Sequence, residues 1–151
     1  MSINKTNLEM IETCKVAIHE IIRLEAEVNQ KAIPKGELDK VYAVLLSNKL
    51  TVAFPPRIVV PALNSMFQTA LMQLILALKQ AMYDPEYGIW ISFNLMMGEN
   101  KTYLFLFNYD EPIENFSGLY DSQAYKEELE QWPRTKENVP TWWNEKLTRK
   151  E

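Results

Sequence analysis

The sequence predicts a single α+β domain in which an antiparallel sheet of about four strands packs against two long helices. Two apolar stripes with helical spacing, near residues 6–30 and 61–82, indicate the helices. Two pairs of segments rich in Val, Leu, Phe and Tyr, each pair separated by a short polar turn, indicate two β-hairpins. Because no internal repeat or linker interrupts the 151 residues, we expect one domain over residues 1–151.

The first helix is predicted from Thr6 to about Gln30, and Thr6 and Glu9 have the spacing of a capping box. His19 falls on the polar side of this helix, without an orienting partner, so we expect no catalytic or ligand role for it. Cys14 falls in the apolar stripe and is expected to pack as a small hydrophobic side chain. The stripe comprises Met10, Cys14, Ala17, Ile21, Leu24 and Val28, widened by Leu8, Ile11, Ile18 and Ile22.

The two hairpins lie on either side of the second helix. Residues 40–46 and 50–54 flank a polar turn, and residues 89–97 and 101–109 flank the turn that begins at Gly98. The strands of the second hairpin are apolar on both faces, which predicts central strands covered by helices. In the helix between the hairpins, Lys79 is the only charge from Pro61 to Met82, so we expect this helix to be the most buried element.

The last third of the chain differs in character from the rest. Residues 110–118 form a polar loop, and residues 122–132 predict a short helix that Pro133 ends. Residues 141–150 predict either a last helix or a frayed tail.

Composition excludes several functions. A net charge of −4 and a pI near 5.2 argue against direct binding of nucleic acid. One Cys and one His cannot form a zinc site that needs several such ligands, and the four separated glycines form no phosphate-binding loop. We therefore expect no cofactor, no metal and no enzymatic activity. The first ten residues carry no signal-peptide pattern and residues 63–82 are interrupted by polar side chains, so we expect a cytoplasmic protein without a membrane span.

The acidic residues are concentrated in the C-terminal half. Residues 1–83 carry 9 basic and 7 acidic side chains, whereas residues 84–151 carry 7 basic and 13 acidic ones. Between residues 110 and 130, seven acids and one base alternate with aromatic side chains. Such a mixture predicts a docking surface in which acids steer a basic partner and aromatic rings anchor it. The alternative is a solubilising acidic face, and we assign the paired Glu127 and Glu128 to such a solvated face.

Two stretches of the C-terminal half resemble a known family. They are the strand pair, residues 90–93 and 105–110 (WISF and FLFNYD), which counts as one, and the tail 128–142 (ELEQWPRTKENVPTW). These residues resemble the YezG-type immunity proteins, which are antitoxins of bacterial polymorphic and contact-dependent toxin systems. The resemblance implies a helix, a hairpin, a long central helix, two further strands and a closing helix. It also implies a non-enzymatic protein that binds and neutralises a cognate toxin domain, often a nuclease.

We expect the toxin to bind the loops between Tyr83 and Tyr125, because only this region combines acids and aromatics outside the predicted core strands. Two alternatives remain open. One is a homo-oligomeric adaptor, suggested by Trp132, Trp142 and Trp143, although a monomer or weak homodimer is expected for an immunity protein. The other is an enzyme in which Asp84, Glu86, Asp110 and Glu111 converge on a pocket. The predicted toxin-binding residues are Asp84, Glu86, Tyr87, Asp110, Glu111, Glu114, Phe116, Tyr120 and Asp121.

Overall fold

A computed structural model describes residues 5–28, 40–54, 57–60, 65–98, 102–113 and 120–148. These residues form one α+β fold, which confirms the predicted fold class. The elements in chain order are α1 (Lys5–Val28), β1 (Lys40–Leu46), β2 (Lys49–Phe54), β3 (Arg57–Val60), α2 (Ser65–Met82), β4 (Ser92–Met97), β5 (Tyr103–Asn108), α3 (Ser122–Gln131), a 3₁₀ turn (Lys136–Asn138) and α4 (Thr141–Thr148).

The strands form one antiparallel sheet in the order β3-β2-β1-β4-β5. Its middle joins the two predicted hairpins, since β1 pairs with β4. Ser47 and Asn48 turn the first hairpin with positive φ values of 53° and 60°, the conformation that two-residue hairpin turns require. The additional strand β3 has four residues between prolines, too few to show a period, and it lies at an edge, where neighbouring prolines are tolerated.

Helices α1 and α2 cover one face of the sheet and form the larger core. The buried face of α1 is made by Ile11, Cys14, Ile18 and Ile22. Our prediction for this stripe was wrong at Leu8, Met10 and Leu24, since all three are exposed. The helix has apolar residues around most of its circumference, so periodicity alone could not identify the side that meets the sheet.

Helices α3 and α4 cover part of the opposite face, so the sheet lies between two helical layers. The second core includes Val44 from β1, Tyr125 from α3 and Trp143 from α4. Trp132 packs in the first core and Trp143 is almost fully buried. These two tryptophans therefore pack inside the fold, and the third, Trp142, is partly buried against Tyr125 and Trp143. Strand β1 is buried on both faces because its alternate residues contribute to the two cores.

Strand β5 differs from its prediction as a central strand, because it forms an edge of the sheet. Its Phe105 side chain is buried beneath α1, whereas Leu104 and Leu106 on the other face are 56% and 50% exposed. In sequence, an uninterrupted run of apolar residues is typical of a strand that is covered on both faces. In the part of the chain that the structure describes, however, α3 and α4 pack only against the middle of the sheet.

His19 is also placed differently from its prediction. It is buried rather than on a polar side, and its ring stacks on Tyr103 with centroids 4.8 Å apart. Cys14 is buried as expected, and burial raises the pKa of its thiol, which disfavours the nucleophilic thiolate. No helix among the described residues is long and apolar enough to cross a membrane.

Candidate functional site

An acidic pocket of about 370 Å³ lies where the α2–β4 loop meets the end of β5 and the 3₁₀ turn. We call it the Asp84–Asp110 pocket, and it is lined by Asp84, Tyr87, Tyr109, Asp110 and Asn138. Three of these residues, Asp84, Tyr87 and Asp110, were predicted to contact the partner. The fold thus brings residues that are distant in sequence to one concave surface.

One wall of the pocket is a tight turn organised by Asp84. The backbone groups of Asp84 and Gly88 exchange two hydrogen bonds of 3.1 and 2.6 Å. Asp84 Oδ1 also accepts hydrogen bonds from the amides of Glu86 (2.8 Å) and Tyr87 (3.1 Å). These bonds explain why Asp84 is buried and has a structural role, which we did not predict. Glu86 and Tyr87 project from the same turn and are exposed.

The opposite wall is held by Arg134, whose guanidinium is buried beneath Asp110. Its Nη1 donates to Asp110 Oδ1 (3.0 Å) and to the carbonyl of Asn138 (3.1 Å). Its Nη2 donates to the carbonyls of Ile89 (3.0 Å) and Tyr109 (3.3 Å). One planar side chain therefore links the residues just before β4 and just after β5 to the C-terminal tail, an arrangement that a lysine could not reproduce.

Gly88 allows Arg134 to approach this closely. Its φ is +77°, and a Cβ placed there would lie 2.7 Å from Arg134 Nε and 3.0 Å from Arg134 Cβ. Only glycine combines that backbone conformation with the required space.

The tail is tied to the pocket by the carbonyl of Glu86. This oxygen accepts hydrogen bonds from the Thr135 amide (3.0 Å), the Thr135 hydroxyl (3.1 Å) and Asn138 Nδ2 (3.1 Å). Trp142 Nε1 donates to the carbonyl of Asp110 at 2.6 Å. Both walls of the pocket are therefore hydrogen-bonded to the same C-terminal segment.

The electrostatics of the pocket follow from burial and from these charges. Burial is the main cause that raises the pKa of the Tyr109 phenol. The positive charge of Arg134 lowers this pKa in part, and the negative charges of Asp84 and Asp110 raise it. The phenol therefore stays neutral at physiological pH. Burial lowers the pKa of the Arg134 guanidinium, while Asp110 counteracts that change, and the group remains cationic.

The remaining predicted residues lie in different environments. Glu111 is exposed, and its amide donates to Asn108 Oδ1 at 2.8 Å, immediately beyond the pocket. Tyr120 was expected to anchor a partner, but it is buried in the second core, with its hydroxyl 2.8 Å from that of Thr51. Asp121 is exposed and caps α3 by accepting from the Ala124 amide at 2.9 Å. The predicted contacts Glu114 and Phe116 lie outside the described residues.

A buried ion pair behind the pocket overturns our assignment of Glu128 to a solvated face. Glu128 Oε2 lies 2.6 Å from Lys79 Nζ, and both side chains are almost fully buried. Lys79 also donates to the carbonyl of Leu45 (2.7 Å), and Glu128 Oε1 accepts from the Ser47 amide (2.9 Å). Glu127 is exposed as predicted and accepts a hydrogen bond from the Ser47 hydroxyl. The Lys79–Glu128 ion pair connects α2 to α3 beside the C-terminal end of β1.

No protein-family model matches the chain, and neither the curated proteins nor the solved structures include a significant match. The chemistry of the pocket is therefore the structural ground on which a function can be proposed.

The pocket is suited to a cationic group. Its two carboxylates supply negative charge, and the rings of Tyr87 and Tyr109 supply faces that attract cations. No cluster of three or more His, Cys, Asp or Glu side chains that could hold a metal ion occurs among the described residues. Sequence reasoning missed Tyr109 and Asn138, which line the pocket, and Arg134, which holds its wall through Asp110.

Proposed function

We propose that this protein is an immunity protein that binds and neutralises a cognate bacterial toxin domain, a basic nuclease, by protein–protein contact. The observation that carries the proposal is the Asp84–Asp110 pocket with exposed Glu86 and Glu111 beside it. A lysine or arginine of the toxin enters the pocket between the tyrosine rings, and the exposed acids accelerate its approach.

The pocket supports an inhibitor better than an enzyme. Asp84 Oδ1 accepts hydrogen bonds from two backbone amides, and Asp110 Oδ1 accepts one from Arg134, so the fold holds one oxygen of each carboxylate in place. His19, the only histidine of the chain, stacks on Tyr103 instead of facing either carboxylate. A general acid or base needs a free lone pair or proton in reach of a substrate. We therefore propose that binding, without catalysis, is the activity of this site.

Co-expression tests the proposed function directly. A candidate toxin domain, a basic nuclease, is expressed in a bacterial host with and without this protein, and growth is measured. We expect growth to stop with the toxin domain alone and to resume when this protein is present. Continued growth arrest with both proteins expressed and soluble would refute the proposal.

A pair of charge-reversed variants tests the proposed surface. Glu86→Lys with Glu111→Lys should lower the association rate with the toxin domain by about tenfold or more at low salt, and flatten its salt dependence. The control, Glu25→Lys with Glu130→Lys, makes the same change of net charge on α1 and α3, at residues that are not chain neighbours of the pocket lining as Glu86 and Glu111 are. Equal rates for the two variants would assign the acids near the pocket to solubility alone.

A further inference from the structure

The outer edge of β5 presents backbone groups in a regular pattern. The Gly98 amide donates to the Thr102 carbonyl at 2.9 Å, which makes these two residues a hydrogen-bonded pair. In an antiparallel ladder such pairs alternate, so Leu104 and Leu106 direct their backbone groups toward β4. Tyr103, Phe105 and Phe107 therefore direct theirs outward, where no other strand of the described residues pairs with them.

This edge lacks the features by which proteins prevent the edge of one sheet from pairing with another strand. Its residues, Tyr103–Asn108, include no charge, proline or glycine, and all six pair with β4 without a bulge. Leu104 and Leu106 are about half exposed on the face opposite α1, and Met96 of β4 lies beside Leu104. The edge thus combines unpaired backbone groups with exposed apolar side chains.

We propose that the β5 edge binds the β5 edge of a second copy of this chain, in an antiparallel ladder centred on Phe105. The two five-stranded sheets then form one continuous sheet of ten strands. This inference concerns a surface separate from the Asp84–Asp110 pocket and does not rest on the proposed toxin.

Symmetry favours a second copy over an unrelated strand. The outward residues Tyr103, Phe105 and Phe107 are evenly spaced about Phe105, so a twofold axis there opposes Phe105 to itself and Tyr103 to Phe107 of the second copy. The three facing pairs exchange about six backbone hydrogen bonds. The same register places Leu104 opposite Leu106 of the second copy, so the four leucines cover one another.

The charges of the chain are compatible with this arrangement. Each copy carries a net charge of −4, which opposes close approach, but the acids of the pocket follow β5 and lie beyond the paired residues. Lys15 of α1 lies above Phe105 and Phe107, 5.9 and 5.8 Å from the ring centroids, on the face opposite the leucines. The acidic repulsion is therefore weakest at this edge.

Sedimentation of the isolated protein tests the association. Over about a hundredfold range of concentration, we expect the mass to rise from 17.7 kDa toward twice that value. Leu106→Lys, which places a charge at the edge, should raise the dissociation constant at least about tenfold. Met66→Lys, at an exposed position of α2, should leave it unchanged. A monomer at all concentrations, or a dimer that Leu106→Lys does not weaken, would overturn the proposal.

A cysteine pair tests the register and does not depend on the charged variant. In the proposed ladder Leu104 and Leu106 of the second copy form a non-hydrogen-bonded pair, whose Cα separation of about 4.5 Å permits a disulfide. The double variant Leu104→Cys with Leu106→Cys should form a covalent dimer under mild oxidation, and each single variant should form far less. Absence of the covalent dimer, or equal cross-linking by a single variant, would refute the register.

Discussion

The buried ion pair between Lys79 and Glu128 should dominate the stability of the link between α2 and α3. Glu128→Leu removes one partner and leaves the Lys79 ammonium buried, with the Leu45 carbonyl 2.7 Å away as its remaining acceptor. Breaking a buried pair in this way costs about 3–5 kcal/mol. A domain of this kind has a total free energy of unfolding of about 5–15 kcal/mol, so the loss is a large fraction of it.

Replacing both charges should be less harmful than replacing one. In Lys79→Met with Glu128→Leu, no ion is left buried, and only the Ser47 amide and the Leu45 carbonyl lose a partner. We expect this double variant to be about 1–3 kcal/mol less stable than the natural sequence. Each unpaired backbone group costs about 1–3 kcal/mol, and the desolvation penalty that disappears with the buried ion pair offsets part of that loss.

Urea unfolding followed by circular dichroism measures these differences. Glu127→Leu is the matched control, since it removes the neighbouring carboxylate, which is fully exposed, and should leave the unfolding midpoint almost unchanged. Lys79→Met is also measured alone, and the reasoning fails if the loss of the double variant equals the sum of the losses of Lys79→Met and Glu128→Leu, because independent charges would behave in that way. It also fails if Glu128→Leu costs no more than the control.

Three further outcomes can be checked by the same unfolding measurements. Gly88→Ala should destabilise the protein by about 2 kcal/mol because of its positive φ and its contact with Arg134, whereas Gly98→Ala requires only that the Thr102 side chain move. Tyr120→Phe should cost about 1–2 kcal/mol through its lost hydroxyl bond, but Tyr125→Phe should be neutral or stabilising, since that buried hydroxyl has no partner among the described residues. Burial raises the pKa of both phenols to about 12, so their contribution to stability is complete below pH 10 and falls as the pH rises from about 10 to 12, where only the unfolded chain ionises. A tyrosinate absorbance titration in which all seven tyrosines ionise together near pH 10 would contradict this last expectation.

The order and type of the main elements could be predicted because each has a strong local signal. The second helix and both hairpins lie within a few residues of their expected ends, since spacing and turn residues act over short distances. The inner face of α1 and the edge position of β5 could not be predicted, because both depend on which surface another element covers. Helix α1 is apolar on several sides, and β5 is equally apolar on both.

Part of the candidate site could likewise be predicted from the sequence, and part of it could not. Charge patterning was enough to indicate the acidic region, and three of its predicted residues, Asp84, Tyr87 and Asp110, line one pocket. The burial of Tyr120 and of Glu128 could not be predicted from the sequence. A tyrosine or a glutamate that lies among acidic residues is expected to be exposed unless a buried partner is known. Those partners, Thr51 and Lys79, are 69 and 49 residues away along the chain. Hydrophobic period and net charge are local properties of the chain, whereas burial of a polar group depends on a distant group that folding brings within hydrogen-bonding distance.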